Sequence, residues 1–254
     1  MRDRILSELE AIEAREGVRI IYACESGSRA WGMVSADSDY DVRFIYAHPP
    51  EWYLSLEPGR DVIELPVNDS LDISGWDLRK TLRLFGNSNL SLLEWLQSPI
   101  VYRERPEMVD QLRELIPTVF SPQRGYYSYW HLARNSHQRY VSGRKRTLKT
   151  FFYLLRTLLA ALWIDARETP PPLDLEALAQ AMLPPDLHPE LHRLLAIKRA
   201  GQEKDVVEEF GPLWEFAQRE LGRLETQDRH FHRTWPPMDQ LNILFRKFLD
   251  DIWG

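Results

Sequence analysis

The stretch Glu25-Ser26-Gly27-Ser28-Arg29-Ala30-Trp31-Gly32, resumed at Asp37-Ser38-Asp39-Tyr40-Asp41, frames the reading of the whole chain. Ahead of it, Val18 to Ala23 is an apolar, β-branched run of the length of a buried strand. A Gly-Ser turn stops that run, and a second apolar run opens at Asp41, continues to Tyr46 and is closed by Pro49-Pro50. Side chains at i and i+2 of a strand share a face, so Asp39 and Asp41 reach toward one site while Tyr40 turns away.

Outward from this centre the first half alternates element types. The residues before Val18 form an amphipathic helix with Ile5, Leu9 and Ile12 on one stripe. Two more strands are expected at Asp61 to Leu65 and Leu71 to Ser74, parted by the turn Val67-Asn68-Asp69-Ser70. Trp76 to Phe85 carries Leu78, Leu82 and Phe85 at helical spacing, and Gly86-Asn87 stops it. The second half reads as helices only. Ser121-Pro122 starts one that runs to Gly143; Arg144 to Ile164 forms a long one; Asp174 caps another; further helices cover Pro189 to Ala200, Glu203 to Arg223 and Pro236 to Ile252. The expected organisation is an α/β (α+β) head with a mixed sheet over residues 1–118 and an all-helical domain over residues 119–254.

Composition narrows the class. With 44% hydrophobic and 28% charged residues the chain has the balance of a globular protein, and no long segment is too polar to fold. A single cysteine, Cys24, excludes an internal disulfide and a cysteine zinc site, which fits a reducing compartment. The N-terminus leads into the helix pattern and not into a signal-peptide core. The most apolar run, Phe151 to Ile164, is interrupted by Arg156 and falls short of the roughly 20 residues a membrane span requires. The expectation is a soluble, cytoplasmic protein without a membrane partner. A net charge of -6 argues against bulk attraction to nucleic acid.

The carboxylates suggest the chemistry. Magnesium takes hard oxygen ligands while keeping waters and phosphate oxygens, and Asp39 with Asp41 supplies two carboxylates on one face. Asp72 becomes a third if its strand lies beside that of Asp41; Asp77, near a helix start, is the alternative, with a capping role as its simpler explanation. Glycine lets backbone approach a phosphate closely, so Gly27 and Ser28 suit a triphosphate. In the long helix, Lys145, Lys149, Phe152 and Arg156 share a stripe that could meet a triphosphate or an RNA strand. Arg156 lies within an apolar run and needs a partner there. Tyr126, Tyr127, Tyr129 and Trp130 read as core packing more than as a stacking platform.

Gly27-Ser28, Ser38-Asp39-Tyr40-Asp41 and the later Asp72 resemble the DNA polymerase beta superfamily of nucleotidyltransferases. Asp72-Ile73-Ser74-Gly75-Trp76-Asp77-Leu78-Arg79-Lys80, Ser88-Asn89 and Glu94-Trp95-Leu96-Gln97-Ser98-Pro99 resemble its bacterial and phage subgroup associated with RNA repair. The resemblance implies two Mg2+ ions held by Asp39, Asp41 and Asp72, Gly27 and Ser28 on the phosphates, and a nucleoside triphosphate, ATP foremost, as donor. Lys149 and Arg156 are candidate nucleotide contacts. The implied reaction transfers a nucleotidyl group to a hydroxyl, with an RNA end as the acceptor that the likeness suggests. A module that binds nucleotide or a partner protein without turnover, and an enzyme that modifies a partner protein, stand as alternatives.

Overall fold

The computed structural model describes residues 1–35, 38–57, 59–66, 70–142, 147–200, 210–232 and 235–254. The expected turn residues 67–69, Gly143 to Arg146 with the stripe residue Lys145, and the start of the helix placed at Glu203 lie outside the described residues, as does Asp37. Contacts divide the chain into two units. One comprises Met1–Ala30, Asp39–Val119 and Thr234–Gly254; the other comprises Trp31–Ser38 and Phe120–Arg233.

In the first unit, helix α1 (Arg2–Glu16) ends at Gly17, whose φ of 64° is the left-handed value that glycine tolerates best. Strand β1 (Arg19–Glu25) leads into the single turn α2 (Gly27–Ala30), and β2 (Tyr40–Ala47) is followed by the short α3 (Pro50–Tyr53). Then come β3 (Val62–Glu64), β4 (Leu71–Asp77), α4 (Leu78–Gly86), α5 (Leu90–Leu96), β5 (Val101–Glu104) and α6 (Pro106–Val119). The five strands form one mixed sheet in the order β3-β4-β2-β1-β5, in which β2 and β4 run parallel and the other pairs antiparallel.

The stripe Ile5, Leu9 and Ile12 of α1 is fully buried in a cluster with Ile20, Ala23, Val42, Phe44, Tyr46, Leu71 and Ile73. Each such aliphatic side chain contributes about 1.5–3 kcal/mol. Ile20 and Ala23 are three residues apart yet join one cluster, because the β1–β2 register shifts between Ile20 and Tyr22 and reverses the alternation. Gly75 on β4 is required by Phe44 in the next strand. A Cβ there would lie 2.3–2.4 Å from the Phe44 ring. Gly75→Ala is therefore expected to cost about 1–3 kcal/mol in urea unfolding; an unchanged midpoint would show that the ring can move aside.

The regular secondary structure of the second unit, among its described residues, is helical only. It contains α7 (Pro122–Val141), α8 (Leu148–Arg167), α9 (Leu175–Met182), a 3-10 turn at Pro185–Leu187, α10 (His188–Arg199) and α11 (Gly211–Thr226). Ser121 caps α7 through Arg124 N and Asp174 caps α9 through Ala177 N at 2.9 Å, as their side chains predict. Helix α8 begins at Leu148, capped by the Thr147 side chain, and the expected start at Arg144 lies outside the described residues. Tyr126 and Tyr129 are buried, whereas Tyr127 is exposed.

Helix α12 (Met238–Trp253) groups with the sheet-bearing unit, although its sequence continues the run of helices. Its apolar face, with Leu241 and Phe248 buried, packs against α4, where Gly86 faces Leu241 and Met238, and Phe245 meets Tyr53 edge-on at 5.0 Å. An amphipathic pattern specifies that a face is covered, not which surface covers it.

Candidate active site

Asp41 and Asp72 meet by register. β2 and β4 are parallel neighbours, Asp41 lies directly across from Asp72, and Arg43 across from Ser74. These four residues occupy the sheet face opposite the α1 cluster. Part of that face is closed by α5, with Trp76 4.1 Å from Trp95 and the Tyr22 hydroxyl donating to the Trp95 carbonyl at 2.6 Å. At the open part, the side chains of Asp41 and Asp72 are 32% and 34% exposed, enough to meet a solute.

The Gly-Ser turn lies against Asp41. The Ser26 amide donates to the Asp41 carbonyl at 2.8 Å, and the chain turns at Gly27 with φ of 65°. A Cβ on Gly27 would sit 2.4 Å from Asp41 Oδ2, so only glycine leaves this carboxylate its place. Ser28 follows within α2. Arg29 Nε donates to the Asp39 carbonyl at 3.1 Å and its guanidinium covers the Tyr40 ring at 3.7 Å, which fixes the entry into β2. Asp39 itself is exposed one residue before that strand.

Two features of the site were not read from the sequence. Arg43 Nη2 donates to Asp72 Oδ2 at 2.7 Å and reaches Asp41 Oδ1 at 3.5 Å. Its signal was available, since Asp41-Val42-Arg43 repeats the i, i+2 spacing of Asp39 and Asp41 inside an apolar run. Glu25 is fully buried, accepts the Asp41 amide at 2.8 Å through Oε1 and the Tyr102 hydroxyl through Oε2. Burial pushes its carboxyl above the usual range, while the bonds from Tyr102 and the Asp41 amide oppose that rise. Glu25 thereby anchors the backbone of Asp41. Nothing in the sequence distinguishes it from an ordinary polar strand end.

Asp77 stands at the far end of β4 and caps α4, accepting from the amides of Arg79 at 2.8 Å and Lys80 at 3.4 Å and from the Tyr53 hydroxyl at 2.6 Å. It is wholly buried, and burial raises its carboxyl. Five residues of strand, about 17 Å, separate it from Asp72.

In the helical unit, Lys149 is exposed in the first turn of α8. Arg156 is 2% exposed, with Nε donating to the Leu173 carbonyl at 3.1 Å and the guanidinium 4.3 Å from the Trp31 ring centre. Arg156→Met is expected to lower stability by about 2 kcal/mol, through loss of the cation–π contact and of a donor to a buried carbonyl. Thermal and urea unfolding measure it, and a variant as stable as the parent would deny the residue a structural role.

The donor chemistry at Asp39, Asp41 and Asp72 is all hard oxygen, which suits magnesium, and the glycine at position 27 places no Cβ against the Asp41 carboxylate. Among the described residues no three acidic, histidine or cysteine side chains are gathered as a metal cluster; Arg43 bridges the two carboxylates that meet. A family model described as the RNA repair pathway DNA polymerase beta family (RlaP) matches residues 1–247. The chain belongs to this family. Among similar proteins, YcgL of Bacillus subtilis (strain 168), described as uncharacterized, is 44% identical over 255 residues, covering 100% of this chain and 98% of the relative. A solved nucleotidyltransferase-like protein from Exiguobacterium sibiricum 255-15 has 13% identity and a TM-score of 0.32, covering 96% of this chain and 77% of that one. Membership in the family rests on the match to its model. Among the described residues no helix is long and apolar enough to cross a membrane.

Proposed function

We infer that this family member is a magnesium-dependent nucleotidyltransferase that moves a nucleotidyl group from a nucleoside triphosphate, ATP first, to a hydroxyl at an RNA end. The observation that carries the reading is the register placing Asp41 across from Asp72, with the Gly27 turn against Asp41. The family's descriptor, an RNA repair pathway, supports the acceptor class.

Asp39, Asp41 and Asp72 would hold two Mg2+ ions, which supply charge neutralisation for the triphosphate and polarise the reacting oxygens. The chain's own groups do the rest. The backbone at Gly27 and the Ser28 hydroxyl donate to phosphate oxygens. Asp72 accepts the proton of the attacking hydroxyl as its oxygen bonds to the α-phosphorus and pyrophosphate departs. Glu25 holds the Asp41 backbone in place. Such a reaction is governed by positioning and electrostatics and requires no covalent protein intermediate. Lys149 is carried as a proposed phosphate contact. Arg156, enclosed by Trp31 and Leu173, is assigned a structural role in place of one.

Incubation with Mg2+, each labelled nucleoside triphosphate and a pool of RNA and cell protein, beside Asp39→Ala/Asp41→Ala, tests the proposal. Label on RNA from the parent alone supports it. Label on protein redirects the acceptor to a partner protein. Nucleotide binding without any transfer would favour a binding module, a reading to which the Arg43 pairing gives its one specific support.

A further inference from the structure

The carboxylates that would ligate metal are already engaged by a cation of the chain itself. Besides its bonds to Asp72 Oδ2 and Asp41 Oδ1, Arg43 donates through Nη1 to the Val42 carbonyl at 3.0 Å and lies 3.3 Å from the Asp72 carbonyl. Its side chain is 19% exposed, less than either carboxylate, so the guanidinium is held at the sheet surface by several acceptors at once. Like charges facing each other on neighbouring strands repel. Arg43 offsets that repulsion, and it does so through oxygens that an incoming ion requires.

We propose that Arg43 is a positioning residue that stands in for the metal: it holds Asp41 and Asp72 together before nucleotide arrives, and a divalent cation must displace its guanidinium from Asp72 to bind. The proposal rests on the carboxylates being the metal site. With Asp39, Asp41 and Asp72 ionised, Arg43 reduces the site's formal charge from -3 to -2 and weakens its attraction for a cation in the absence of substrate. The guanidinium released from Asp72 has an alternative acceptor once a triphosphate is present, because its planar fork suits phosphate oxygens. Metal and nucleotide then strengthen each other's binding, and the coupling is reciprocal.

The signs of two effects separate this role from a merely structural ion pair. Loss of Arg43 should destabilise the metal-free protein, since two carboxylates are left facing each other. The same loss should tighten metal binding. The experiment measures Mn2+ affinity by calorimetry and thermal unfolding, with and without Mn2+, on the full chain and on Arg43→Gln and Arg43→Lys, each without nucleotide and with a non-hydrolysable ATP analogue. Arg43→Gln is expected to bind Mn2+ about tenfold more tightly than the parent when nucleotide is absent, since a unit positive charge has left the ion's immediate surroundings. Its metal-free melting temperature should fall and Mn2+ should raise it by more than in the parent. The ATP analogue should improve Mn2+ affinity more in the parent than in the variant.

A folded Arg43→Gln protein that binds Mn2+ no more tightly than the parent overturns the proposal. If that variant fails to fold, Arg43→Lys decides, because it keeps the charge but loses the two-pronged hold; a few-fold gain supports the proposal and no gain overturns it. Parent and variants that all ignore Mn2+, with or without the analogue, would overturn the metal-site reading together with this one. Mn2+ binding abolished by Asp72→Asn but indifferent to Arg43 would overturn this proposal alone.

Discussion

Asp72→Asn is expected to reduce the rate of pyrophosphate release by about a thousandfold while changing nucleotide affinity by less than roughly tenfold. The substitution keeps the size of the side chain and therefore the β2–β4 register that places it across from Asp41. On the proposed mechanism it removes a negative charge, a hard ligand and the acceptor for the attacking hydroxyl's proton in one change. The amide oxygen can still accept from Arg43, so stability should shift by no more than about 1 kcal/mol, the scale of a partly exposed ion pair. Single-turnover pyrophosphate release with labelled triphosphate, alongside urea unfolding, separates the two effects. Asp77→Asn is the matched control. Asparagine caps a helix nearly as well as aspartate, so this variant should retain activity within a factor of about three. Equal loss in both variants would indicate that the defect is in folding, and normal turnover in Asp72→Asn would remove Asp72 from the chemistry.

Gly27→Ala should cost about a hundredfold in turnover and about 1 kcal/mol or more in stability. The stability term follows from a φ of 65°, which alanine adopts only with strain. The activity term has a separate origin, the 2.4 Å approach of the new Cβ to Asp41 Oδ2. A Cβ is rigidly attached to the backbone, so the carboxylate must yield, and a displacement of about 1 Å is enough to cost on the order of a hundredfold in a site that works by positioning. Steady-state kinetics and Mn2+ titration on the folded variant measure this; activity within about threefold of the parent would show that the turn has no part in the site.

Much of the head's architecture was written in local pattern. Ile5, Leu9 and Ile12 mark the face of α1, and the Gly-Ser turn marks the end of β1, whereas Asp39 precedes the strand that carries Asp41. What local pattern lacked was partnership. β5 is four residues long, with only Tyr102 buried, too little alternation to stand out from a loop. Helix α5 depends on Asn89, whose side chain accepts from Leu92 N at 3.1 Å, and its seven residues contain fewer turns than periodicity needs to register. Lys149 and Arg156 lie on one helical stripe in sequence, yet one is exposed and the other enclosed, because burial along a helix changes from turn to turn with what packs against it. Arg43 and Glu25 were hidden for a related reason. Their roles arise from β4 and from Tyr102, residues distant in the chain.

The membership of α12 in the sheet-bearing unit carries a consequence for how the protein is made. The strands and helices up to Val119 leave the ribosome first, and the next residues of that unit follow only after the whole helical unit has been translated. At elongation rates of about 5–20 residues per second that interval lasts on the order of ten seconds, far longer than strand pairing or collapse takes. The nascent sheet therefore has time to set its register and bring Asp41 to Asp72 while the patch on α4 beneath Leu241 and Met238 is still bare. Pairing of the sheet precedes its covering by α12, and the interval between them is one of exposed apolar surface, when chaperone capture and aggregation compete with the arrival of that helix.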